Sequence, residues 1–383
     1  MEIHNIESTW RISIIGFVFI SLVAGCVPRP ESSLLNPVER PPRFTPKVEM
    51  LIATTRGVGD ISNPFANSSD RSLKLNFGIH TVSIPTHHKP GQIEWPDQLP
   101  PDTTRHFVTT DRSLLERQQF LDALRQKAAY RDDGKVLVFV HGYNMLYQEA
   151  VYWLAQIAHD SGFRGTPILF SWPSRGKAPL YVADRESVAY SRDYFESFLL
   201  EIAALPEVRE IDILAHSMGT LLTVETLRQA SIKGHKNFRG KLRDVILASP
   251  DIDANVFRTQ LDTIGRLSRP MTVLVSGDDK ALALSRLLGG GTDRVGLVTA
   301  NDPRAIEGAR RYHLNVVDLT NVDPNDPSNH SKFARSGAVM AAIGRRLDDL
   351  PNSGKEPKGV AAAVTDVGES IVNLPLTILK AGQ

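Results

Sequence analysis

Ser217 lies in the stretch Ala215-His216-Ser217-Met218-Gly219, directly after the apolar run Ile211 to Leu214 and before the helix-like segment Leu221 to Arg228. Small residues around a serine let the backbone turn sharply from strand to helix and hold the hydroxyl above a sheet, beside a helix N-terminus. A serine hydroxyl is a poor nucleophile at neutral pH. Attack on a carbonyl therefore needs a histidine to take its proton, a carboxylate to orient that histidine, and donors for the developing oxyanion. The competing reading is a turn serine that caps a helix and needs no partner elsewhere.

The chain supplies partners. Beyond the apolar run Met271 to Ser276 stands Gly277-Asp278-Asp279, a loop at the carboxyl end of a predicted strand, where an orienting acid belongs. Asp279 is the first choice and Asp278 the alternative, since spacing does not separate adjacent residues. Asp251, after the preceding strand, is a third candidate, with helix capping beside Pro250 and Asp253 as its structural reading. Downstream of Val317 the histidine available is His330, in the polar loop Asn329-His330-Ser331. His313 begins a strand and His216 is locked beside the serine, so both are read as structural. His80, His87 and His88 lack the i, i+4 spacing that puts two ligands on one helix face, and no cysteine assists them. No metal and no cofactor is expected.

These side chains need a scaffold. Val48 to Thr54 and Leu75 to Ile84 read as an antiparallel pair of strands. Then come short, nearly continuous apolar runs: Val136 to Val140, Ile168 to Ser171, Ile211 to Leu214, Val245 to Ala248, Met271 to Ser276 and Leu314 to Val317. Such runs suit strands buried on both faces of a parallel sheet. Helical stretches lie between and after them, at Glu149 to His159, Arg185 to Ala204, Leu221 to Gln229, Ala281 to Leu288 and Phe333 to Leu347. The alternation predicts an α/β fold: a mostly parallel, doubly wound sheet with helices on both faces. The short segment from Asp251 to Pro270 leaves little or no room for a lid. Trp172, Pro173 and Arg175 follow a strand at the catalytic edge and could line a pocket, though a buried tryptophan more often belongs to the core.

The 383 residues hold 42% hydrophobic and 23% charged residues, the balance of a folded globular chain. With 44 basic against 43 acidic residues, the net charge of +1 gives no electrostatic footprint for nucleic acid. The single cysteine, Cys26, excludes an internal disulfide and draws attention to its position. The apolar run Ile12 to Gly25 is shorter than the roughly 20 residues a bilayer span wants, and suits the core of a signal peptide. It ends in Leu22-Val23-Ala24-Gly25-Cys26, which resembles the lipobox of bacterial lipoproteins, whose cysteine becomes a lipid-bearing N-terminus. That resemblance implies a cell-envelope protein held to a membrane through its N-terminal lipid anchor, and Val27 favours the outer membrane. The expected organisation is a signal peptide over 1–25, lipidated Cys26 with a Pro-rich tether over 26–46, one catalytic domain over 47–350, and a partly helical tail over 351–383.

The stretches Val138-Phe139-Val140-His141-Gly142-Tyr143-Asn144, Leu169-Phe170-Ser171-Trp172-Pro173-Ser174, Asp184-Arg185-Glu186-Ser187 and the Ser217 turn resemble a bacterial family of α/β-hydrolases of undefined substrate within the esterase/lipase superfamily. Asp251-Ile252-Asp253 and Asp279-Lys280-Ala281-Leu282 extend the resemblance, which runs from about Val48 to Leu350. That family also opens its elbow with alanine. The chain order Ser217, Asp279, His330 is the α/β-hydrolase order. By the same resemblance the backbone amides of Tyr143, with Asn144 as its rival, and of Met218 would form the oxyanion hole. The resulting expectation is a serine esterase acting on a small-molecule or lipid ester through an acyl-enzyme. Its alternative is a non-catalytic α/β-hydrolase scaffold that binds an envelope partner.

Overall fold

The computed structural model describes residues 29–59, 68–130, 134–323 and 326–348. The signal-peptide run, Cys26 and the tail 351–383 lie outside them. The chain divides into a unit Met1–Glu31 and a unit Ser32–Gln383, and the second carries the fold.

Nine strands form one sheet: β1 (Lys47–Arg56), β2 (Arg71–Ser83), β3 (Val108–Leu115), β4 (Lys135–Val140), β5 (Thr166–Ser171), β6 (Glu210–His216), β7 (Leu242–Ala248), β8 (Met271–Val275) and β9 (Leu314–Asp318). Their order is β3-β2-β1-β5-β4-β6-β7-β8-β9. The first three strands pair antiparallel, and every other pairing is parallel. The helices are α1 (Arg117–Tyr130), α2 (Tyr147–Asp160), α3 (Tyr181–Ala204), α4 (Met218–Ile232), α5 (Ala254–Ile264), α6 (Lys280–Leu288), α7 (Pro303–Tyr312), α8 (Lys332–Arg335) and α9 (Gly337–Asp348).

Alternation within the central strands explains why they read as unbroken apolar runs. Val136, Val138 and Val140 of β4 face one hydrophobic cluster, whereas Leu137 and Phe139 face the other. The first cluster packs beneath α1, α3, α4 and α5, and the second beneath α2 and α9. Each such side chain contributes about 1.5–3 kcal/mol by leaving water. The expected two-faced, mostly parallel sheet is therefore present, and between Asp251 and Pro270 the one helix is α5.

Some expectations change. Residues 32–46, read as tether, are folded onto the domain: a 3₁₀ turn at Ser32–Leu35 buries Leu34 and Leu35, and the Tyr152 hydroxyl donates to the Leu34 carbonyl at 2.8 Å. Val38 N–H donates to the Thr109 carbonyl and Ile84 N–H to the Pro46 carbonyl, so the proline-rich segment is tied to the sheet at both ends. The helix expected over 333–347 breaks at Ser336, giving α8 and α9. β3, α1, α5 and α7 were not foreseen. In α1 only Phe120, Leu124 and Ala128 are fully buried, with Leu121 and Ala123 partly buried against the same cluster, a narrow stripe.

Candidate active site

Ser217 joins β6 to α4 with φ 51° and ψ −124°. This is a strained conformation for a residue with a side chain, of a kind that costs about 1–3 kcal/mol and persists only where surroundings enforce it. They do so here. Ser217 N–H donates to Ala248 O at 2.9 Å, and its carbonyl accepts from the Thr220 hydroxyl at 2.6 Å. A Cβ on Gly219 would lie 2.4 Å from His141 O and 2.6 Å from Val140 O, so only glycine lets the start of α4 approach the end of β4 this closely. The Ser217 hydroxyl makes no hydrogen bond to a described residue.

The structure brings His330 to Asp279. His330 Nδ1 lies 2.7 Å from Asp279 Oδ2, while Asp279 Oδ1 accepts from Leu282 N–H at 2.9 Å, so the acid also caps α6. Asp279 is 1% exposed. Burial works against a charged His330, but the Asp279 carboxylate, with Asp251 and Asp326 nearby, outweighs it and raises the imidazole pKa above its ordinary value. The His330 carbonyl accepts from the Ser249 hydroxyl at 3.1 Å and meets His216 Nε2 at 3.1 Å, so the His330 backbone is seated on the residue before Ser217. His330 Nε2 has no hydrogen bond to a described residue, which leaves it available to a proton from the site.

Asp278 has a different task. Lys332 Nζ approaches both its oxygens at 2.9 Å, and Asn329 Nδ2 donates to it at 2.8 Å. It thus ties the histidine loop to the loop after β8. Asp251 is held by Tyr181 Oη at 2.9 Å, Ser285 Oγ at 2.5 Å and buried Arg294 at 3.4 Å. The capping role belongs to Asp253, whose carboxylate accepts from Asn255 and Val256 N–H. His313 closes α7 in a left-handed conformation, with φ 55°. Burial, with His330 alongside, drives His216 well below the usual histidine range, and it packs against Trp153 and Phe333.

After β4 the chain turns at His141-Gly142-Tyr143-Asn144. His141 stacks on Trp172, their ring centroids 4.9 Å apart, and Trp172 Nε1 donates to the His141 carbonyl at 2.8 Å. Burial, then nearby Arg56, pushes His141 down to about 3, so it is neutral. Trp172 is fully buried and part of the core. A Cβ on Gly142 would sit 3.0 Å from Ser217 Cβ, so this turn lies directly against Ser217. Asn144 N–H points to Asp184 Oδ2 at 3.4 Å, whereas the N–H groups of Tyr143 and Met218 have no partner among the described residues.

Several supporting residues were not foreseen in these roles. Arg56 donates to Ser171 Oγ and to the carbonyls of Ser174 and Met145, fixing the loops after β4 and β5. Asp184 accepts from Ser174 Oγ at 2.6 Å and Arg175 N–H at 2.7 Å. Asp326 accepts from Ser328 Oγ at 2.9 Å and Ser331 N–H at 2.6 Å, which shapes the His330 loop. Asp184 stands in one of the stretches that carry the resemblance, and Asp326 had a cue in the Asp-Pro-Ser turn at Asp326-Pro327-Ser328, whereas Arg56 had none.

Residues 116–346 match the family described as alpha/beta hydrolase of unknown function (DUF900). The chain belongs to this family. No curated protein matches this alpha/beta hydrolase. Among solved structures it is similar to Aspergillus fumigatus lipase B, at 16% identity over 74% of this chain and 66% of the lipase, with a TM-score of 0.38. It is also similar to the Pyrobaculum calidifontis esterase, at 10% identity over 88% of this chain and 92% of the esterase, with a TM-score of 0.30. A fungal esterase from Rhizomucor miehei shows 10% identity over 80% of this alpha/beta hydrolase and 85% of that chain, with a TM-score of 0.31. TM-scores this low add nothing to the family assignment.

Proposed function

We propose that this alpha/beta hydrolase is a serine esterase of the bacterial cell envelope. Ser217 Oγ attacks the carbonyl carbon of a small-molecule or lipid ester, and His330 Nε2 takes the hydroxyl proton as the C–O bond forms. Asp279 holds the imidazole by its Nδ1–H and stabilises the imidazolium. The oxyanion accepts hydrogen bonds from the N–H groups of Met218 and Tyr143, an arrangement worth about 10² to 10³ in kcat per donor. His330 returns its proton to the departing alcohol, and water then attacks the acyl-enzyme by the same route.

The observation that supports this reading best is the 2.7 Å pairing of His330 with Asp279, seated against the strained Ser217 turn. Three loops far apart in sequence converge there, and a pure binding scaffold has no use for all three. The missing contact between Ser217 Oγ and His330 is no objection, because catalytic hydrogen bonds often tighten only with substrate bound. Purified protein should hydrolyse members of a short-to-long acyl ester series. Ser217→Ala and His330→Ala should each lose most of that activity, leaving about 10³ to 10⁴ over water from binding and the oxyanion hole. Near-parent turnover in His330→Ala would refute the assignment; no turnover of any ester together with tight capture of an envelope protein would favour a scaffold. The envelope location rests on Cys26 and the apolar run before it.

A further inference from the structure

A second group of side chains with chemical potential stands at the end of α2, outside the serine site. His88, on the segment between β2 and β3, reaches Asp160 Oδ1 through Nε2 at 2.7 Å and Glu94 Oε2 through Nδ1 at 2.8 Å. The His159 ring faces His88 edge-on, with ring centroids 5.4 Å apart, and its nitrogens make no hydrogen bond to a described residue. One donor atom from each of His88, His159 and Asp160 lies within 4.8 Å of the other two. The side chains of His88 and Asp160 are 4% and 0% exposed.

We propose that His88, His159 and Asp160 bind one zinc-class divalent ion, with His88 Nε2 and Asp160 Oδ1 as two of its ligands. Two imidazoles and one carboxylate are the donor set that zinc favours, with water completing the tetrahedron. The outer support is in place. Glu94 on His88 Nδ1 forms the carboxylate–histidine–metal arrangement that fixes ring orientation and raises ligand basicity. The second oxygen of Asp160 is held by Gly91 N–H and Gln156 Nε2, both at 2.7 Å, which aims Oδ1 at His88.

A hydrogen-bonded His88 bridging two acids is the simpler account of that pair, but it gives the His159 ring no role, and His159 is what distinguishes the two. Metal entry displaces the proton shared by His88 Nε2 and Asp160 to solvent and opens their separation to about 3.3 Å, as metal bonds of 2.0–2.2 Å in a tetrahedron require. The ion would also brace the catalytic region. Gln156 Nε2 donates to Ala334 O at 2.9 Å, and a Cβ on Gly91 would fall 2.1 Å from Arg335 O, so the site is packed against α8, just after His330.

The test is to strip the full chain with a chelator and titrate it with Zn(II), following binding by calorimetry and unfolding by a thermal scan. One equivalent should bind and raise the unfolding midpoint. Glu94→Gln should weaken binding about 10- to 100-fold. His159→Gln, which removes a ligand but no side-chain hydrogen bond of the metal-free fold, should keep the metal-free midpoint and lose at least about tenfold in affinity. Absence of stoichiometric binding to the parent chain, or parent-like affinity in His159→Gln, would overturn the proposal.

Discussion

His330 sits where burial disfavours its charge and Asp279, Asp251 and Asp326 favour it, and the carboxylates prevail. A general base must be neutral, so activity should fall as pH drops through this raised pKa. The acid limb of the kcat/KM profile is expected above the ordinary histidine value of about 6.5, with Asp279→Asn moving it down and lowering kcat by about 10⁴. A parent limb at or below that value would contradict the electrostatic account. The stability sign is opposite: a folded pKa above the unfolded one stabilises the fold below the unfolded pKa, and that contribution is lost as pH rises through the folded pKa. The sequence singles out Ser217, Asp279 and His330 because strand ends and chain order constrain the candidates, and the structure pairs the last two. Spacing does not distinguish Asp279 from Asp278; that choice depends on Lys332 and Asn329, which engage Asp278 from 51 or more positions away.

The turn from β6 into α4 works only if two elements can touch. Gly219 is the point of contact, within 2.6 Å of two carbonyl oxygens at the end of β4 for any added Cβ. Gly219→Ala should therefore push α4 from β4 despite alanine's helix propensity, lowering stability by about 1–3 kcal/mol as overpacked sites do. Displacing the nucleophile by about 1 Å should also reduce kcat by about 10²-fold. Urea unfolding and steady-state kinetics on the variant measure both, and parent stability and turnover in Gly219→Ala would mean the contact is not tight. Elements of this kind were legible where burial is two-sided, as in β4, β5 and β6. They were missed where a segment buries only a narrow stripe, as in α1, or where an edge strand such as β3 alternates with polar residues. The break between α8 and α9 was also hidden; beside it a Cβ on Gly337 would lie 3.0 Å from Pro90 Cβ, a neighbour far away in sequence.

At the scale of the molecule, one sheet with two hydrophobic faces brings three loop ends to its carboxyl edge, and the family assignment agrees with that architecture. Composition and apolar patterning were enough to foresee this. They did not foresee that Leu34 and Leu35 dock on the domain, because a proline-rich segment reads as extended whether it lies on a surface or in solvent. The proposed envelope location depends on a lipid at Cys26, which lies outside the described residues. Cells fed a labelled fatty acid should incorporate it into the parent chain and lose it in Cys26→Ser; equal labelling of both would remove the anchor. The account as a whole turns on whether Ser217 is an activated nucleophile. The direct measurement is reaction of the purified protein with a fluorophosphonate, followed by peptide mass spectrometry. The account predicts one adduct per chain, on Ser217, slowed strongly by His330→Ala and absent from Ser217→Ala; an unmodified Ser217, or labelling that persists in Ser217→Ala, would contradict it.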